Sequence, residues 1–351
     1  MRLASLVTAH VPVYKRRAST AREVDVKALL CREYGPIENL RVEDVPSPRP
    51  GPNEVVVEVK ASSLNFPDAL LVQGLYQVKP PLPFSPGMEL AGVVKEVGPG
   101  VSGVSAGDRV IASPGRGGFA EECLVAADRV APLPAGMEFE TASAFLLTYC
   151  TTLHALDCGA LKAGETMVVL GAAGGVGTSA IEIGKALGAR VIAAASSEEK
   201  LAFCRKLGAD ETIDYQAADL RKKILELTGG NGADVVYDPV GGDYTESALR
   251  ATAWRGRLLV IGFASGVIPK VPLNLALLKE RSLIGVYWGD WTQRDPAGQQ
   301  RNVERLVGWY AQGKIKPVVS ERVSLADAPA AMQRLVRRQV MGKVVIVPGL
   351  N

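Results

Sequence analysis

Apolar positions change their period partway along this chain. From Val26 to about Asp128 they form short runs of strand length: Lys27–Cys31, Glu54–Ala61, Leu90–Val97, Arg109–Ala112 and Ala120–Val125. Turns such as Pro50-Gly51-Pro52 and Gly98-Pro99-Gly100 break them, and the pattern predicts a partly closed β domain. From Thr166 strand-length runs alternate with helical spacing. The strand candidates are Met167–Leu170, Arg190–Ala195, Glu211–Ile213, Asp234–Tyr237, Leu258–Ile261 and Leu283–Val286. Between them, Val176–Leu187, Glu198–Leu207, Leu220–Leu227 and Tyr244–Ala253 read as helices. Strands joined by crossover helices predict an α/β fold with a doubly wound, six-stranded parallel sheet. After Trp288 come a polar loop, helices at Arg301–Gln312 and Ala326–Arg337, and a final strand Lys343–Val347. That strand is expected to return to the β domain, because the six-stranded sheet is already complete. The expected limits are an extension over 1–25, a β domain of 26–150 plus 289–351, and an α/β domain of 151–288.

The turn after the first parallel strand is the most informative stretch. Residues 166–177 read Thr-Met-Val-Val-Leu-Gly-Ala-Ala-Gly-Gly-Val-Gly, a strand feeding a glycine-rich turn and then a helix. Small residues at Ala172 and Gly174 let backbone approach a pyrophosphate, and Gly177 lets helix and strand pack closely. The helix points unpaired N–H groups and its positive end at the phosphates. Cofactor preference is read about 20 residues further on, at the end of the second strand. NAD-specific sheets place a carboxylate there, and this chain has Ala195 followed by Ser196 and Ser197. Glu198 and Glu199 belong to a helix's first turn, with Ser196 expected as the cap and Glu199 reaching back to it. Without the carboxylate nothing repels a 2′-phosphate, and Ser196, Ser197, Lys200 and Tyr215 offer donors and one positive charge. NADPH is the expected cofactor.

Composition narrows the picture further. At 351 residues two domains are expected, and 47% hydrophobic residues suffice for a sizeable core. The net charge of +3 and the absence of a basic, aromatic-interleaved stripe argue against nucleic acid as a partner. No apolar run reaches spanning length, so no membrane partner is expected and the protein is read as soluble and cytoplasmic. Cys31, Cys123, Cys150, Cys158 and Cys204 lack CxxC spacing and fit buried thiols in a reducing compartment. Only His10 and His154 are available for imidazole chemistry, and His154 reads as a packed side chain. The first 22 residues carry Arg2, Lys15, Arg16, Arg17 and Arg22 with no acid. They lack an amphipathic period, so an extension is favoured over a transit peptide.

Several landmarks together resemble the medium-chain dehydrogenase/reductase superfamily, in its zinc-free NADPH:quinone oxidoreductase branch that includes zeta-crystallin. They are Ser63-Leu64-Asn65-Phe66-Pro67-Asp68, Pro86-Gly87-Met88-Glu89-Leu90-Ala91-Gly92, Val97-Gly98-Pro99-Gly100-Val101, Gly107-Asp108-Arg109-Val110, the glycine turn, and Ser282-Leu283-Ile284-Gly285-Val286. The resemblance spans residue 26 to the end and implies a Rossmann domain with a GroES-like catalytic domain. Zinc-dependent relatives carry a cysteine where this chain has Asn65, and Gly-His-Glu where it has Gly87-Met88-Glu89. Neither an amide nor a thioether replaces thiolate and imidazole on zinc, so no metal is expected.

The resemblance also implies the site. Asn65 and Tyr76 are placed near the nicotinamide and substrate, Asn65 donating to the substrate oxygen or orienting the ribose. Thr148 approaches the nicotinamide, and Ala173, Gly174, Gly175 and Val176 form the pyrophosphate turn. Ser196, Lys200 and Tyr215 hold the adenosine phosphate. Gly262, Phe263 and Ala264 lie along the nicotinamide ribose, with Gly285 and Val286 beside them. Asp68 and Glu89 are assigned to loop structure. The implied reaction is hydride transfer to a quinone or enone, with an enoyl-thioester (2-enoyl-CoA or ACP) reductase and a non-catalytic, crystallin-like NADPH binder as alternatives. A homodimer through the sheet edge Arg281–Tyr287 follows from the same resemblance, with Trp288 and Trp291 lining either cleft or interface.

Overall fold

The computed structural model describes residues 25–350. The basic stretch from Arg2 to Arg22 lies outside them. By their contacts the described residues form two compact units, one of residues 25–143, 322–333 and 345–350, the other of 144–321 and 334–344. The sequence-based limits differ: they assigned 144–150, 289–321 and 334–344 to the β domain, whereas by contacts these residues fall in the second unit. The reason lies in the helix Pro296–Ala311, whose buried Leu306 and neighbouring Tyr310 pack within that unit, Tyr310 edge-on to Phe145.

The first unit is built on β1 (Asp25–Leu30), β2 (Arg41–Pro46), β3 (Glu54–Ser63), β4 (Leu90–Val97), β5 (Arg109–Ala112), β6 (Glu122–Ala126) and β7 (Val130–Pro132). β1 and β2 pair antiparallel. β3 is the organising strand. It pairs β4 throughout, β6 along its first half, and the returning C-terminal strand at Ser62 and Ser63. Register shifts at Val56/Val57 and Val59/Ala61 bend it, as bulges do where a sheet curls toward closure. Period-2 alternation sends Val55, Val57 and Val59 into one core with Leu90, Val94 and Val110. The final strand therefore does return to this sheet. β2 and β7 went unread for physical reasons. β2 is an exposed two-stranded edge rich in charge, and β7 has three residues.

The second unit carries β8 (Thr166–Leu170), β9 (Arg190–Ala195), β10 (Glu211–Asp214), β11 (Ala233–Asp238), β12 (Thr252–Val260) and β13 (Ser282–Gly285). Their order is β10-β9-β8-β11-β12-β13, and every pairing is parallel. This is the expected doubly wound sheet, with its crossover between β8 and β11. Met167–Leu170 and Val191–Ala195 are wholly buried, as strands covered on both faces must be. All six strands end on one side of the sheet, and the expected cofactor residues follow those ends.

Candidate active site

The glycine turn has the geometry its sequence implies. Gly171 adopts φ +56°, a left-handed conformation that favours glycine. A Cβ on Gly177 would come 2.5 Å from the Gly171 carbonyl oxygen, so only glycine lets this helix meet its strand. Gly174 caps the helix Gly175–Ala186 with extended backbone. The turn residues Gly171 to Gly177 bring no charged side chain, so what they could offer a phosphate is N–H groups and the positive helix end.

Beyond β9 the structure brings three of the expected residues together and adds a fourth. Lys200 Nζ donates to Ser196 Oγ at 3.1 Å and to the Arg338 carbonyl at 2.7 Å. Tyr215 hydrogen-bonds Ser196 and feels the positive charge of Arg338. Its ring lies 4.5 Å from that of Tyr244. Burial, then the nearby Arg338 charge, lowers the Lys200 pKa, while burial raises that of Tyr215. Ser196, Lys200, Tyr215 and Arg338 thus gather two cations and two hydroxyls around a strand end without a carboxylate. Arg338 escaped the sequence reading because it lies 138 residues from Lys200. Its only local signal was a paired Arg337-Arg338 just after a helix. One expectation is corrected here: Ser197, not Ser196, caps the helix Glu198–Lys206, its Oγ accepting from Lys200 N–H at 3.4 Å. Glu199 is therefore one residue short of the capping-box position, and Ser196 is left to Lys200.

The remaining cofactor candidates follow β12 and β13. Ala264 N–H donates to the Pro239 carbonyl at 3.0 Å, and Gly262 N–H to that of Asp238 at 3.4 Å. The Phe263 ring packs against Gly241, where a Cβ would come within 2.9 Å of it. Val286 N–H donates to the Val260 carbonyl, continuing the ladder past Gly285. Thr148 sits in a π-helical turn, Leu146–Cys150, and is 2% exposed. Its hydroxyl donates to the Ala144 carbonyl, so its methyl is the group turned toward Gly175.

In the first unit, Asn65 is the N-cap of the helix Phe66–Val72 and is 4% exposed. Its amide nitrogen lies 2.9 Å from Glu89 Oε1 and 3.2 Å from the Ser63 carbonyl. A carboxylate and a carbonyl accept only, so they fix which end of the carboxamide is nitrogen. Ser63 Oγ also donates to Glu89 Oε1. Asp68, fully buried, accepts from Asn65 N–H at 2.9 Å and Gly87 N–H at 3.1 Å. The loop-building assignment of Asp68 and Glu89 matches these contacts. Tyr76 is half-buried in the loop past the far end of that helix, so Asn65 and Tyr76 flank it. Among the described residues, no group of three or more His, Cys, Asp or Glu side chains is placed to hold a metal ion.

The remaining candidates resolve simply. His154 stacks on Trp291 with ring centroids 4.1 Å apart, and burial lowers its pKa. Trp288 donates to Gln299 Oε1 at 2.9 Å. Four cysteines are buried as expected, but Cys158 is exposed beside His154. Among the described residues no helix is long and apolar enough to cross a membrane.

A doubly wound sheet with a glycine turn at its crossover, joined in one chain to a bulged antiparallel β unit, defines a two-unit dinucleotide-dependent oxidoreductase. Residues 51–135 match the alcohol dehydrogenase GroES-like domain, and 175–302 match the family described as zinc-binding dehydrogenase. A quinone oxidoreductase-like protein 2 homolog of Nematostella vectensis is 39% identical over 325 residues, 91% of this chain and 88% of that protein. The crystal structure of the Pseudomonas syringae quinone oxidoreductase is 35% identical with a TM-score of 0.85, covering 92% of this chain and all of that one. That of Escherichia coli quinone oxidoreductase complexed with NADPH is 32% identical with a TM-score of 0.84, covering 92% and 99%. The chain belongs to the quinone oxidoreductase family of the medium-chain dehydrogenase/reductase superfamily.

Proposed function

We propose that this protein is an NADPH-dependent reductase of quinones or related conjugated carbonyls, working by direct hydride transfer without zinc. The convergence of Ser196, Lys200, Tyr215 and Arg338 at a strand end with no carboxylate carries the cofactor assignment. These groups fit a 2′-phosphate, and the turn closed by Gly177 fits a pyrophosphate brought against backbone. Bound NADPH supplies the hydride. The chain's share is to hold, orient and stabilise.

Asn65 has a narrower role than its residue type allows. Its N–H groups are turned to Glu89 and Ser63, and its side chain also accepts from the Asp68 N–H in a capping box, so a substrate oxygen would have to compete with Glu89 and Ser63 for its N–H groups. Reduction of a simple ketone builds localised alkoxide charge and calls for a Lewis acid or strong proton donor. Asn65 and Met88 stand where zinc-dependent relatives carry thiolate and imidazole, and neither side chain supplies that chemistry. A quinone becomes a phenolate-like anion with a pKa of ~10, and an enone spreads its charge into an enolate. Positioning and neutral donors are then sufficient.

The same reading favours a homodimer. β13 is an end strand of the sheet, and Leu273, Leu277 and Leu278 nearby are 80, 78 and 65% exposed. A second copy would cover both the open strand edge and these leucines. Light scattering should give twice the chain mass, and Leu277→Glu should reduce it to one.

The deciding experiment is steady-state NADPH oxidation against a benzoquinone, an enone, an unactivated ketone and a crotonyl thioester. Turnover of the first two, with the ketone inert, is the expected result. Preference for the thioester would point to an enoyl reductase, and tight NADPH binding without turnover to a non-catalytic binder. Stoichiometric zinc in the purified protein would overturn the metal-free reading.

A further inference from the structure

Between β5 and β6 of the first unit the chain turns through residues 113–118, and this turn lies on the loop that carries Met88. Gly115 N–H donates to the Met88 carbonyl at 3.3 Å, Gly117 N–H to that of Ser85 at 2.8 Å and Gly118 N–H to that of Gly87 at 3.0 Å. Gly87 N–H in its turn donates to Asp68, which also accepts from Asn65 N–H. The turn is thus tied to the scaffold of Asn65. Tyr34 lies close by and pins the loop that holds Tyr76 from both ends. Its ring fills the space where a Gly74 Cβ would come within 3.3 Å, and its hydroxyl donates to the Pro80 carbonyl. The Phe84 ring stands 6.1 Å from it.

Two guanidinium groups meet at this turn. Arg116 is half-buried, and Arg129 Nη1 lies over Gly115, where a Cβ would come 3.6 Å from it. Among the described residues neither arginine has a carboxylate partner. Burial pulls the Arg116 pKa down, and the acids that oppose this are the Cys123 thiol and the Tyr34 phenol. Burial pushes Cys123 up to about 12 and raises Tyr34 as well, so both stay neutral at pH 7. The protein itself therefore leaves a half-buried cation uncompensated, at a cost in desolvation. We infer that Arg116, with Arg129 beside it, holds an oxyanion group carried by the electrophile, so that the substrate is an acidic conjugated carbonyl. Two aromatic rings next to two unpaired guanidinium groups suit a flat, conjugated ring bearing a carboxylate. Arg116 then sets which electrophile is taken, and the hydride chemistry stays with the cofactor.

The inference rests on the quinone or enone reading for its chemistry, so its test must separate the two. A naphthoquinone carboxylate and its methyl ester differ in charge at one group. Binding of each is measured by calorimetry on the full chain, with NADPH-driven turnover measured beside it. Arg116→Gln is expected to lower the acid-to-ester affinity ratio about tenfold and Arg129→Gln about threefold, with part of the first loss recovered in Arg116→Lys. In turnover the loss should fall on KM for the acid rather than on kcat. Crotonyl-coenzyme A paired with its N-acetylcysteamine thioester puts the charge on a carrier instead. A tenfold loss confined to that pair keeps the oxyanion subsite and makes carrier phosphate its ligand. Ratios within twofold of wild type for both pairs overturn the inference, as does an equal loss for charged and neutral members. Arg129→Gln and Arg116→Lys read the same ratios if Arg116→Gln does not fold. A ratio that drops as expected in a protein that reduces neither quinone nor enone would leave the subsite standing and remove the proposed reaction.

Discussion

The strand end at Ser196 and the Asn65 cluster are both polar, yet their electrostatics are opposite. At Ser196, two cations and two hydroxyls meet at a strand end without a carboxylate, the nearby acids Glu199 and Asp214 act only as the last of the causes, and burial pulls the Lys200 pKa down. Around Asn65, two buried carboxylates, Asp68 and Glu89, are bound by N–H and O–H donors. One arrangement leaves positive charge in excess, as the proposed 2′-phosphate site requires. The other spends its donors on itself and so defines a scaffold. Polar residues clustered in a site therefore differ in kind, and the donor-to-acceptor balance tells them apart.

The largest effect should come from breaking the first region. Lys200→Ala combined with Arg338→Ala is expected to weaken NADPH by ~1,000-fold, about 4 kcal/mol, since each charge-assisted contact contributes roughly 1.5–3 kcal/mol. NADH binding should change less than threefold. Equal losses for both dinucleotides, measured by fluorescence titration, would break the contrast. Breaking the second region should act on stability instead. Asp68→Ala orphans the Asn65 and Gly87 N–H groups, and a loss of about 3 kcal/mol in urea unfolding is expected. NADPH affinity of the folded variant should stay within twofold.

A third carboxylate sharpens the comparison, because it is buried without enough donors to hold it ionised. Glu182, on the helix behind the glycine turn, accepts from Tyr149 Oη at 2.5 Å and from Lys316 N–H at 3.2 Å. Burial outweighs both and pushes its pKa up to about 7. The folded state then keeps a proton that the unfolded chain releases from about pH 4.5 upward. Stability should fall between that pH and about 7 and level off above. Glu182→Gln should remove this slope and raise stability at pH 8 by about 2 kcal/mol. Thermal unfolding across pH 5–8 reads it directly. A wild-type curve flat over that window would show Glu182 already ionised.

What the sequence made legible follows the same division. The central strands β8, β9 and β11 were visible because each is an apolar run buried on both faces, and the outer strands β10, β12 and β13 because they keep the same spacing between helical stretches. The glycine turn and the missing acid at Ala195 were visible because both are local. Arg338 was not, since its place beside Lys200 depends on a chain return after 138 residues. Asn65 was visible as a position but not in its orientation, which Glu89 and Ser63 determine through contacts the sequence does not display. The strand Val319–Val323 was also missed, its alternation being carried by only two valines.

The smallest predicted effect tests the finest of these distinctions, between adjacent serines. Ser197 caps a helix through its Oγ, and Ser196 faces Lys200 and Tyr215. Removing a cap costs about 1 kcal/mol, so Ser197→Ala should lower stability by that amount and leave the ratio of NADPH to NADH affinity unchanged. Ser196→Ala should do the reverse, shifting that ratio several-fold toward NADH with unfolding within about 0.5 kcal/mol of wild type. The two variants differ by one position in a chain whose helix start is easily misread from sequence, so each controls for the other. If both moved stability and neither moved the ratio, Ser196 would belong to the helix end, and the cluster at β9 would reduce to Lys200, Tyr215 and Arg338.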